Sequence, residues 1–126
     1  MTEPPSRPIV MVVEDEPLLL LHAVDIIEQA GFDVVEAMSA DQAVEILQRR
    51  PDIQVVFTDI DMPGSMDGLK LAHLIRDRWP PIEIIIVSGH RLVSAESLPD
   101  RCAFFSKPFD TDQVVATVRR LSAPAP

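Results

Sequence analysis

The stretch Ile9-Val10-Met11-Val12-Val13-Glu14-Asp15-Glu16-Pro17 decides the architecture. From Pro8 to Val13 the apolar run shows no alternation, which is the pattern of a strand buried on both faces. Three carboxylates follow directly. Pro17 then stands where a first helical turn tolerates proline. Leu20, Val24 and Ile27 recur on one helical face, and Gly31 supplies a C-terminal stop.

The same alternation repeats down the chain. Phe32 to Val35 reads as a second strand. Ser39 and Gln42 have the spacing of a capping box and open a helix with Ala43, Ile46 and Leu47 inward, ended by Pro51. Ile53 to Thr58 is a third strand. Asp67-Gly68 starts a helix whose stripe is Leu71, Leu74 and Ile75, stopped by Pro80-Pro81. Ile82 to Val87 is the most β-branched run and the best candidate for a central strand. Between Gly89 and Asp100 the pattern is weakest: Leu92 and Val93 suit a short helix, and Pro99 breaks it. Cys102 to Phe105 is a fifth strand, and Asp110 and Gln113 open a last helix carrying Val114, Val118 and Leu121. Strands alternating with helices require crossovers and hence a parallel sheet, covered by helices on both faces because crossovers are right-handed.

Length and composition set bounds on this reading. A chain of 126 residues is one domain by the usual prior. It is read as a folded unit over residues 8–121 with short tails at 1–7 and 122–126. No apolar run approaches the roughly 18 residues of a membrane helix. The proline-bearing N-terminus lacks the pattern of a signal peptide. The single cysteine, Cys102, excludes an internal disulfide and fits a reducing, cytoplasmic setting. The net charge of -9 argues against direct binding to nucleic acid or to an anionic membrane surface.

In an open parallel sheet, chemistry belongs at the C-terminal strand ends. Glu14, Asp15 and Glu16 follow the first strand, Asp59 and Asp61 the third, Ser88-Gly89 the fourth and Lys107-Pro108 the fifth. Each alone is ordinary: an Asp at a strand end is commonly a helix cap, and Ser-Gly or Lys-Pro a turn. Together they put several carboxylates, a hydroxyl and an ammonium on one edge. Carboxylates repel one another and persist best around a hard cation, and oxygen donors without Cys or His pairs suit Mg²⁺ over Zn²⁺. Ser88 and Lys107 are then placed to hold phosphoryl oxygens, so the set reads as phosphoryl-transfer chemistry.

Five segments in order carry a resemblance. They are Val-Val-Glu-Asp-Glu-Pro (12–17), Thr-Asp-Ile-Asp-Met-Pro-Gly (58–64), Asp-Gly-Leu (67–69), Val-Ser-Gly-His (87–90) and Phe-Phe-Ser-Lys-Pro-Phe (104–109). The chain resembles the receiver domain of bacterial response regulators from about Pro8 to Leu121. The resemblance implies a flavodoxin-like doubly wound α/β fold with five parallel strands in the order 2-1-3-4-5. It implies Asp59 as the carboxylate that accepts a phosphoryl group from a histidine kinase or phosphotransfer protein. Asp15 would be a direct Mg²⁺ ligand, Glu14 a ligand through water, and the main-chain carbonyl of Asp61 a third protein ligand. Ser88 would be the switch hydroxyl, Lys107 the lysine that pairs with the phosphoryl group, and Phe104 the switch aromatic. A cis bond at Lys107-Pro108 is expected at so tight a turn.

Four features depart from the family pattern. The acidic pair is Glu14-Asp15 where Asp-Asp is commoner. The loop from Asp59 to Asp67-Gly68 is about one residue longer than the usual family spacing. His90 occupies a position that tunes autodephosphorylation through the attacking water, or else simply faces solvent. The interval from Ser88 to Lys107 is short by roughly one helical turn. His22 and His73 read as helix-surface residues, and Trp79 as a packing anchor.

The expected protein is a stand-alone receiver, monomeric or weakly dimeric. It would be no turnover enzyme but would bind a downstream protein when phosphorylated, or drain phosphoryl groups from its kinase. Two competing readings are a Mg²⁺-dependent phosphatase of the haloacid dehalogenase type, using Asp59 and Asp61, and a receiver that binds partners without phosphorylation. The first places its motif after a first strand and needs a longer chain. The second leaves the complete site without a role.

Overall fold

The structure, a computed structural model, describes residues 7–62, 66–89 and 94–122. The elements are β1 (Ile9–Val13), α1 (Pro17–Gln29), β2 (Asp33–Ala37), α2 (Ala40–Arg49), β3 (Ile53–Asp59), α3 (Gly68–Arg78), β4 (Glu83–Ser88), β5 (Cys102–Ser106) and α4 (Thr111–Ser122). The strands form one parallel sheet in the order β2-β1-β3-β4-β5. The order reverses direction at β1, which leaves a crevice between the ends of β1 and β3.

Alternate strand residues feed two cores. On one face Met11, Val13, Val56, Ile84 and Ile86 pack against Ala40, Ala43 and Leu47 of α2 and Leu71, Ala72 and Ile75 of α3. On the other, Val10, Val12, Phe57, Ile85 and Val87 meet Leu20, Ala23, Val24 and Ile27 of α1 and Val114 and Val118 of α4. Ile84, Ile85 and Ile86 are all fully buried, as a strand covered on both sides requires. Each such side chain contributes about 1.5–3 kcal/mol by leaving water.

Element boundaries differ from the sequence reading in ways with local causes. Phe32 is buried beneath α1, and its amide turns back to the Ile27 carbonyl, so β2 begins at Asp33 and runs on to Ala37. Ile82 N–H is spent on the Trp79 carbonyl, which delays β4 to Glu83. The cap of α2 is half a capping box. Ser39 Oγ accepts from Gln42 N at 3.0 Å, but Gln42 Oε1 accepts from Met38 N at 2.6 Å rather than from Ser39. In α3, Ala72 is buried and Leu74 only half-buried. Trp79 is half-buried against the α2/α3 core, as a packing anchor should be. Gly31 carries φ +100° just past α1, the left-handed stop that glycine permits.

Between β4 and β5 the described residues contain a single 3₁₀ turn, Ala95–Ser97. Arg76 of α3 holds the end of this connection by donating to the carbonyls of Asp100 and Arg101 at 2.8 and 3.0 Å, and the same guanidinium donates to those of Pro80 and Ile82 ahead of β4 at 2.8 and 2.9 Å. His73 Nε2 lies 2.7 Å from the Ser97 carbonyl oxygen. Leu92 and Val93, read as a possible helix, lie outside the described residues, as does the Pro63–Ser65 part of the lengthened loop.

Candidate phosphoryl-transfer site

Asp59 closes β3 and is only 3% exposed, an unusual depth for a carboxylate. The sheet fixes its backbone: it lies opposite Val87, and Ile60 N–H donates to the Val87 carbonyl at 3.0 Å. Its two oxygens have separate partners. Asp59 Oδ1 accepts from the Asp61 amide at 2.9 Å, and Asp59 Oδ2 accepts from Lys107 Nζ.

Lys107 reaches Asp59 because its stem is braced. Its amide donates to the Ser88 carbonyl at 2.9 Å, and the Lys107–Pro108 bond is cis, as expected from the sequence. Phe109 packs edge-on against Phe57 with ring centroids 5.9 Å apart. A Cβ on Gly89 would stand 3.3 Å from Lys107 Cδ, so the glycine leaves room for the stem. Burial works against the ammonium, but the bond to Asp59 and the charges of Asp59, Glu14 and Asp61 together hold its pKa above the usual lysine value.

Glu14 is the second buried acid, 6% exposed at the end of β1. Its Oε1 accepts from Glu16 N at 3.2 Å, and its Oε2 lies 3.8 Å from Lys107 Nζ. Burial, then a side-chain hydrogen bond with Asp59, push its pKa up to about 7; the Glu16 amide and Lys107 only partly oppose them. Asp15 follows, half-buried, and Asp61 is likewise half-buried. Ser88, 3% exposed at the end of β4, donates to Asp61 Oδ2 at 3.4 Å. The predicted residues thus gather at one edge. Glu14, Asp59 and Lys107 are in mutual reach, and Asp61 links Asp59 to Ser88. Phe104 lies deeper, opposite Ile86 on the face that Ser88 shares, half-buried against the α2/α3 core. His90 lies outside the described residues.

The donor set fits a hard cation: it is all oxygen, and burial together with the neighbouring Asp59 raises the Glu14 carboxyl to about 7, a crowding of acids that a cation would relieve. Among the described residues no three His, Cys, Asp or Glu side chains close into a cage. A site of two carboxylates completed by a main-chain oxygen would not form one.

Sequence reasoning missed three features. Thr58, fully buried, donates from Oγ1 to the Asp59 carbonyl at 3.0 Å. Gly68 packs so closely on that carbonyl that a Cβ would lie 1.8 Å from it. The only prior signal for Gly68 was the Asp-Gly motif itself. A cavity of about 420 Å³ adjoins the site, walled by Leu19, Ala23, Phe57, Val87, Pro108 and Phe109 and reaching Glu14 and Lys107. Beside it Leu18 and Leu21 of α1 are 80% and 65% exposed.

Comparison with known proteins agrees with this geometry. The response regulator receiver domain matches residues 10–119. The nitrogen assimilation regulatory protein NtrX of Azorhizobium caulinodans is 34% identical over 116 residues, covering 88% of this chain and 25% of that protein. The sensor kinase CckA of Brucella abortus is 34% identical over 116 residues, covering 89% of this chain and 12% of the kinase. The chain thus spans a quarter or less of these relatives. The crystal structure of a response regulator receiver protein from Sinorhizobium medicae superposes with a TM-score of 0.85 at 29% identity, covering 91% of this chain and 94% of that one. With its sheet ordered 2-1-3-4-5, a buried aspartate and a half-buried lysine at the carboxyl edge, and a receiver-domain match over residues 10–119, the chain belongs to the response regulator receiver family of two-component signalling.

Proposed function

We propose that this chain accepts a phosphoryl group on Asp59 from a histidine kinase or a histidine phosphotransfer protein, and that the acyl phosphate then governs binding to a downstream protein. The observation that carries this reading is the pairing of Asp59. A carboxylate 3% exposed at a strand end keeps one oxygen on Lys107 and the other on a backbone amide, so it is oriented before any donor arrives. An Asp59 oxygen attacks phosphorus, the P–N bond of the donor phosphohistidine breaks, and the electron pair leaves with the imidazole, which takes up a proton. Lys107 follows the growing charge on the phosphoryl oxygens. Asp15, Asp59 and the Asp61 carbonyl would hold Mg²⁺, with Glu14 acting through water. When bound, the ion neutralises the phosphoryl oxygens and the crowded carboxylates. The exposed leucines Leu18 and Leu21 and the adjoining cavity give a donor domain an apolar footing beside Asp59.

The chemistry stops at a protein-bound phosphoryl group, so the chain is a signalling switch or phosphoryl sink and not a turnover enzyme. No helix among the described residues is long and apolar enough to cross a membrane. The test is phosphotransfer profiling: autophosphorylated histidine kinases and phosphotransfer domains are each offered the chain and its Asp59→Asn variant. Rapid transfer from at least one donor, abolished by the variant, is expected. Transfer that survives Asp59→Asn would overturn the assignment.

A further inference from the structure

Thr58 is a buried hydroxyl that the transfer chemistry leaves without a role. It sits on β3 among Val55, Val56 and Phe57 and is 0% exposed. A hydroxyl in such a place costs free energy unless bonded, and valine has nearly the same shape. Thr58 Oγ1 is bonded, and its acceptor is the main-chain carbonyl of Asp59, at 3.0 Å.

That carbonyl belongs to a peptide held from every side. Gly68 at the start of α3 sits against it, with room for no Cβ: one would lie 1.8 Å from the oxygen and 2.6 Å from the carbon. The amide half of the same peptide, Ile60 N–H, donates to Val87. The next carbonyl, that of Ile60, accepts from both Met62 N at 3.0 Å and Gly68 N at 3.1 Å. The following amide, Asp61 N–H, is the one aimed at Asp59 Oδ1, at 2.9 Å. Turning the Asp59–Ile60 peptide would therefore swing the Asp61 amide off the carboxylate and move the Asp61 carbonyl with it.

We infer that Thr58 is a positioning residue for the phosphoacceptor. Its hydroxyl, with Gly68 pressing on the same carbonyl, locks the Asp59–Ile60 peptide so that Asp59 presents one carboxylate orientation, Oδ1 on the Asp61 amide and Oδ2 on Lys107. This rests on the reading of Asp59 as phosphoacceptor. Thr58 touches neither donor nor metal and acts only through the peptide.

The test compares Thr58→Val, which keeps shape and removes the hydroxyl, with Thr58→Ser, which keeps the hydroxyl. Thr58→Ala serves as the second hydroxyl-free variant should valine fail to fold. The first readout is the Asp61 amide in metal-free protein by ¹⁵N NMR. Its resonance should move upfield and its hydrogen exchange accelerate in the hydroxyl-free variants, and both should return in Thr58→Ser. The second is phosphorylation by acetyl phosphate at saturating Mg²⁺. The maximal rate should fall about tenfold without the hydroxyl and the half-saturating Mg²⁺ concentration should rise as the Asp61 carbonyl shifts, both recovering with serine. A hydroxyl-free variant with the parent's Asp61 amide and maximal rate would overturn the inference. So would losses that track melting temperature equally in valine and serine variants. A parent that takes no phosphoryl group would refute the Asp59 reading instead, and the amide measurement would still decide the clamp.

Discussion

Glu14 and Asp59 are two buried carboxylates served by one ammonium, and that imbalance has a measurable consequence. The Glu14 carboxyl, raised from 4.5 to about 7, binds its proton more tightly folded than unfolded. The native state therefore carries more protons between those values, and stability falls as pH rises through that window. Above it, the second negative charge costs on the order of 1–3 kcal/mol in the absence of metal. Glu14→Gln should thus raise the melting temperature of EDTA-treated protein at pH 8 and change it little at pH 5. Thermal unfolding at the two pH values measures this, and equal effects at both would contradict it. The site residues were legible because each stands immediately after a strand of recognisable apolar pattern. Thr58 was not, because a buried hydroxyl inside such a run looks like another β-branched residue until its partner is seen.

At the scale of elements, the approach of α3 to the end of β3 depends on a missing atom. Gly68→Ala would drive a Cβ into the Asp59 carbonyl, and overpacking against backbone should cost about 3 kcal/mol. Gly31→Ala meets open space and pays only for its left-handed backbone, about 1 kcal/mol. Chemical denaturation of both variants should rank them in that order. The connection from β4 to β5 rests on Arg76, whose bonds to the Asp100 and Arg101 carbonyls tie it to α3. Arg76→Ala should accelerate amide exchange in residues 94–101 while leaving β1 and β3 protected. Uniform acceleration would instead mean global destabilisation. The sequence announced this irregular stretch through the short Ser88 to Lys107 interval, but not its tether. Arginine on a helix reads as a solvated charge, and the carbonyls it binds lie 4 to 25 residues away in sequence.

The molecule as a whole is one parallel sheet packed on both faces, with its charge conflict concentrated at one edge. Strand order was legible only through the family resemblance, since alternation of strands and helices fixes handedness but not order. A cation that relieves the conflict binds the native state alone, and at ten times its dissociation constant should add about 1.4 kcal/mol of stability. Mg²⁺ should therefore raise the melting temperature, and more so at pH 8 than at pH 5, where Glu14 holds its proton. Charge gained at Asp59 should also be felt across the β4–β5 side. With beryllofluoride and Mg²⁺, amide shifts should extend from Ser88 to Phe104 and Phe105, and shifts confined to the loops after β1 and β3 would identify a phosphoryl sink without a switch. The central claim is that Asp59 carries the phosphoryl group. Intact-mass measurement after incubation with acetyl phosphate tests it most directly. One phosphoryl adduct per chain, dependent on Mg²⁺ and absent from Asp59→Asn, is the predicted result; no adduct on the parent, or an adduct that persists in Asp59→Asn, would contradict it.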